Sequence, residues 1–72
     1  METLYRLNYG NGTTDGCWRS FERACEALRS QEASERRGLV TGNHTGKMFI
    51  ERGEHPETRA MTDSDWKRVW PA

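Results

Sequence analysis

Several things are missing from this chain, and each absence excludes a class of protein. There is no long apolar run. No segment approaches the roughly 20 consecutive apolar residues that a membrane span requires, and no basic stretch leads into an apolar core as in a signal peptide. The composition therefore predicts a cytoplasmic protein with no membrane partner. Two glycosylation sequons, at 11–13 and 43–45, have no consequence in that compartment. There is no excess of charge of one sign: eleven basic residues face eleven acidic ones. Such a protein lacks the long-range field that steers a ligand to DNA, RNA or an anionic membrane. Cysteine is scarce. Cys17 and Cys25 are too few for a disulfide framework. Apolar residues are also scarce, at 33% of 72 residues with a mean hydropathy of −1.02. One small domain spanning 1–72 is all this length supports, and its core must rest on a few large side chains.

The chemistry-bearing arrangements are missing as well. The segment 41–48 places Gly42, Gly46 and Lys47 much as a phosphate loop would. A phosphate loop needs four residues between its glycines and a Ser or Thr after the lysine to hold magnesium. Here three residues intervene and Met48 follows Lys47, so the segment reads as a turn. Cys17, Cys25, His44 and His55 are potential zinc ligands, but they do not form the tight pairs that set two ligands on one turn. Cys25 with a histidine and Asp15 could be imagined as nucleophile and base, yet Cys25 falls on an apolar stripe, where cysteine acts as a small hydrophobe. The sequence thus points to no enzyme, no metal and no cofactor.

What is present begins with a helix. Phe21, Ala24, Cys25 and Leu28 recur at i, i+3, i+4 and i+7, one apolar stripe at the helical period. Ser20 is placed to cap its first turn. Arg23, Glu26 and Arg29 occupy the opposite face. The spacing predicts a helix over 20–30, with 31–38 a frayed end and loop stopped by Gly38.

Strands flank this helix. Tyr5, Leu7 and Tyr9 alternate with Arg6 and Asn8, which predicts a strand over 4–9. Residues 10–16 are turn formers. Cys17 and Trp18 allow two readings: a strand returning to close a hairpin, or a backward extension of the helix with Asp15 as its cap. Gly16 and the β-favouring Trp18 lean toward the hairpin. Further on, 39–41 and 47–52 read as a second pair of strands around a turn at 42–46. Residues 53–56 form another turn, and 57–60 could add an edge strand. The core is expected to join the stripe to Leu7, Val40 and Ile50 or Met48. The pattern alone does not decide which face of 47–52 is inside; if Met48 and Ile50 are core, Phe49 lies on the outer sheet face. Thr62 and Asp65 are spaced as a capping box, and Trp66, Val69 and Trp70 fit one helical face. The pattern therefore predicts a short C-terminal helix. The resulting class is α+β: an antiparallel sheet of three to five strands, one main helix on one face and a short helix at the end.

With no site chemistry, two kinds of partner remain. Nine of the eleven basic residues are arginine. Arginine and aromatic residues dominate hot spots between proteins, so a non-catalytic protein-binding module is the first reading. Its candidate anchors are Arg6, Arg36, Arg37, Phe49 and Arg52, which the pattern leaves outside the core. The second reading is a nucleic-acid binder using arginine and aromatic residues on a sheet face. A homodimer is compatible with so small a core.

In length, polarity and strand–helix–hairpin order the chain resembles small accessory proteins of phages and plasmids, including anti-CRISPR proteins. The resemblance rests on no motif and carries over no functional residue. It implies an inhibitor that blocks a host defence complex by occupying its surface. Imitation of nucleic acid would require a strongly acidic chain, so contact through arginine and aromatic side chains fits better.

Overall fold

A computed structural model describes residues 1–71. Four strands form one antiparallel sheet: β1 (Glu2–Asn8), β2 (Thr14–Trp18), β3 (Phe49–His55) and β4 (Trp66–Trp70), in the spatial order β2-β1-β3-β4. A single helix, α1 (Phe21–Arg36), packs on one face, against β1, β2 and β3. The fold is α+β, as the alternation of patterns predicts. The 42 × 22 × 21 Å extents match an elongated body two layers thick.

The register explains the core. Leu7 lies directly opposite Ile50 and Tyr5 opposite Arg52, so these four side chains share the face under the helix. Leu7, Ile50 and Met48 meet Ala24 and Leu28 there, and Tyr5, Tyr9, Trp18, Cys25 and Ala27 pack around them. Both Met48 and Ile50 are core residues. Val40 is not; it stays 41% exposed. Phe21 is also largely outside, with its ring edge-on to Tyr5 at 5.8 Å between centroids. The buried stripe is therefore narrower than its periodicity suggests.

The hairpin reading of Cys17 and Trp18 is correct: β2 pairs with β1, and Ser20 caps α1 by accepting the Arg23 N–H at 3.4 Å. The helix runs six residues beyond the predicted end. Gln31 to Arg36 are mostly good helix formers, and Gln31 donates to Glu35 one turn on, at 2.9 Å. The strand predicted over 39–41 does not form. Its place beside β3 is taken, since β1 and β4 occupy the two sides.

The end of the chain differs most. The turn predicted at 53–56 lies largely within β3, and 57–60 is a loop. Gly53 is strand because its missing side chain makes room for a neighbour: a Cβ there would come within 2.4 Å of the Met61 methyl and 3.0 Å of the Trp66 ring. The capping pair does form, with Thr62 N–H donating to Asp65 at 2.8 Å, but it closes only one 3-10 turn, Asp63–Asp65. Arg59 grips the same carboxylate with both ends of its guanidinium, at 2.7 and 2.8 Å. These bonds, Arg59 foremost, hold the Asp65 carboxyl far below the usual carboxylate range. Trp66–Trp70 is a strand, not a helix. A five-residue stretch is too short for its period to decide between the two, and pairing with β3 favours the extended form of a Trp- and Val-rich segment.

Leu28 is 2% exposed and central to the core. Leu28→Ala should cost about 2–4 kcal/mol, read as a lowered denaturation midpoint at unchanged slope.

Candidate functional site

The C-terminal end of α1 is the most elaborately built part of the surface. The helix stops in a Schellman motif. Gly38, at φ 71°, takes the left-handed conformation that this stop requires. Its N–H donates to the Glu35 carbonyl at 3.1 Å, and Leu39 N–H donates to the Ser34 carbonyl at 2.9 Å. The chain then turns back along the helix and is tied down by one carboxylate.

That carboxylate is Glu35, whose side chain is only 2% exposed. It accepts from the His44 N–H at 2.7 Å, the Thr45 N–H at 2.9 Å, the Thr45 hydroxyl at 3.1 Å and the Gln31 amide at 2.9 Å. The His44 Nδ1 lies 2.9 Å from its second oxygen. Glu32 adds a bond from the Gly46 N–H at 3.1 Å. The donors, led by Gln31, hold the Glu35 carboxyl at about 2, although desolvation pushes the other way. His44 in turn lies against the Tyr9 ring, 4.7 Å between centroids. Tyr9 donates its hydroxyl to Asp15 at 2.9 Å. Desolvation, and then the Asp15 hydrogen bond, raise the Tyr9 phenol. The loop after α1 is thus fastened both to the helix and to the β1–β2 hairpin.

Four exposed side chains lie between the helix end and this fastened segment. Arg36 and Arg37 close the helix, where positive charge suits the end of the dipole, and neither forms an ion pair among the described residues. Leu39 is 70% exposed and Val40 is 41% exposed. Leu39 occupies the position of a Schellman motif whose side chain commonly folds back on the helix. Here it is held out in solvent.

The other candidate anchors lie elsewhere. Arg6 and Phe49 share the sheet face opposite α1. Arg6 pairs with Glu51 at 2.9 Å and stacks on Trp66 at 4.3 Å, leaving its side chain 15% exposed. Arg68 covers Phe49 at 4.8 Å. Arg52 is on the helix side of the sheet, 3.0 Å from Glu54. Of the five, only Arg36 and Arg37 are both exposed and unpaired. Leu39 and Val40 escape a sequence reading because an apolar pair between turn formers resembles a strand. The Glu35 clasp has no signature, since its partners lie nine and ten residues away.

Among the described residues no three His, Cys, Asp or Glu side chains gather where a metal could sit. Cys17 and Cys25 are free thiols. No family model, curated protein or solved structure matches the chain.

Because Glu35 is held below its ordinary value of 4.5, the clasp contributes fully above that pH and weakens as pH falls through about 2. The His44 and Thr45 amide resonances should shift over this interval, and Glu35→Gln should abolish the titration. Amides that do not respond would rule out the clasp.

Proposed function

We propose that this protein is a small, non-catalytic protein-binding module that acts by occupying a surface of its partner. The observation that carries this reading is Leu39. A large apolar side chain is held in solvent on a loop that a nearly buried carboxylate fastens in place. Burying a leucine is favourable by about 1.5–3 kcal/mol, and here that gain is left for another molecule. Fixing the loop beforehand lowers the ordering cost of association. Val40 extends the apolar spot, and Arg36 and Arg37 flank it with unpaired guanidinium groups, the combination that recurs at hot spots.

The likeness in format to small phage and plasmid proteins, including anti-CRISPR proteins, makes a host defence complex the partner class to try first. Inhibition would then be steric. A nucleic-acid reading would use Arg6 and Phe49 on the open sheet face. Their positions weaken it: Arg6 is committed to Glu51 and Trp66, and Arg68 already covers the Phe49 ring on which a base would stack.

The test combines capture with a gel shift. The wild-type protein should retain a discrete partner from host lysate and leave single- and double-stranded probes unshifted at physiological salt. Leu39→Ser with Arg36→Ala and Arg37→Ala should lose the partner, while Leu39→Ser alone changes stability by no more than about 0.5 kcal/mol. A tight, salt-sensitive shift with no protein captured would replace this reading with nucleic-acid binding.

A further inference from the structure

The sheet has two free edges, and they are built differently. At one, β2 shifts register against β1 between Tyr5 and Leu7, an irregularity that bends a strand away from further pairing. Asp15, the acidic residue of β2, is taken by the Tyr9 hydroxyl. At the other, β4 pairs with β3 at Trp66 opposite Gly53, Lys67 opposite Arg52 and Arg68 opposite Glu51, and its register shifts only past Arg68, before Trp70 meets Ile50. Its outer backbone groups bond to no other strand among the described residues.

The side chains of β4 are a second anomaly. Lys67 and Arg52 stand directly opposite each other on the helix side, an arrangement that like charges normally avoid. Arg52 is relieved by Glu54, but Lys67 has no ion pair among the described residues. Both line an open depression of about 300 Å³ with Val69 and two carboxylates already paired to arginines, Glu54 to Arg52 and Asp65 to Arg59, so Lys67 is its unpaired charge among the described residues. Arg68, on the other face, adds a further positive charge. Val69 and Trp70 complete the strand, 36% and 39% exposed.

We infer that the β4 edge is a docking site for an extended, acidic strand of a partner protein. This rests on the protein-binding reading and names a second surface for it. The occupant follows from charge. A second copy of this chain fits poorly, because an antiparallel β4–β4 pair centred on Arg68 sets Arg68 against Arg68, and one centred on Lys67 sets Lys67 against Lys67. Cations on an edge strand block self-pairing in this way. The same cations favour a strand bearing carboxylates, with one contact on each face through Lys67 and Arg68. The backbone ladder supplies affinity, and alternate side chains supply selectivity. Val69 and Trp70 offer apolar contacts to the apolar residues of such a strand.

The probe is a displayed random-peptide library selected against the full chain. Peptides enriched in Asp or Glu alternating with β-branched or aromatic residues, perturbing amides 66–70, are the expected result. Basic or neutral winners, perturbations confined elsewhere, or no enrichment would overturn the assignment. Lys67→Glu supplies a sharper arm. It removes the clash with Arg52, so the melting temperature should rise by about 1–3 °C, while affinity for the acidic peptides falls roughly tenfold. Lys67→Gln should act in the same direction, at roughly threefold, and is read instead if Lys67→Glu does not fold. Unchanged peptide affinity in the variant that is read overturns the proposal. A host partner lost on substitution at Leu39 but kept by Lys67→Glu also overturns it, and leaves the protein-binding reading standing.

Discussion

Leu28 and Ile50 are the two largest fully buried side chains, and the two layers of the molecule meet at them. Leu28 points down from α1. Ile50 points up from a central strand, with Leu7 opposite on one side and Trp70 on the other. Among the described residues only Leu4, Leu7, Ala24 and Met48 are buried apolar residues besides them. Apolar burial is the main force that offsets chain entropy, and a core this small can order the sheet and helix but little beyond them. The loops must be held by other means.

Those means are carboxylates. Glu35 fastens the loop after α1, Asp65 fastens the approach to β4 through Arg59 and Thr62, and Glu51 anchors Arg6 and Asn8 on the face away from the helix. Glu35 and Asp65 collect donors from loop segments that apolar contacts alone would leave loose, and Glu51 ties two side chains of β1 across to β3. Many of the chain's charges are used internally, against one another or against backbone amides. Arg6 illustrates the consequence. Its place in the alternating pattern of β1 marks it as outward-facing, and it is, but it faces Glu51 and Trp66 rather than solvent.

The legible parts of the fold are those where one local rule dominates. The stripe at Ala24, Cys25 and Leu28 and the cap at Ser20 identify α1, and the alternation from Tyr5 to Tyr9 identifies β1. Errors arise where two local rules agree on the wrong answer. Thr62 and Asp65 do cap, and Trp66, Val69 and Trp70 do share a helical period, yet the segment is a strand because β3 offers it a partner. Leu39 and Val40 look like strand residues, yet both sides of β3 are filled from elsewhere. Half of the candidate site was legible on the same terms. Arg36 and Arg37 follow from polarity and position. Leu39 does not, because it lies on a loop whose far end is tied to Glu35 by bonds spanning nine and ten residues, which no local pattern encodes.

Among the large apolar residues left 36% or more exposed, Met1 and Phe21 stand singly, while the others are Leu39, Val40, Val69 and Trp70. Single exposed apolar residues are common on any surface. These four are not scattered: they fall in two pairs, and unpaired or stacked cations accompany each pair. At the helix end the apolar pair sits on a fastened loop; at β4 it sits on a strand whose outer backbone is free. The cations serve two purposes at once. They keep each apolar pair soluble and, on β4, set copies of the chain against one another. In the proposal above they also select the charge of the partner. Under the proposed reading, the same cations that set copies of the chain apart are the ones a partner's carboxylates would meet.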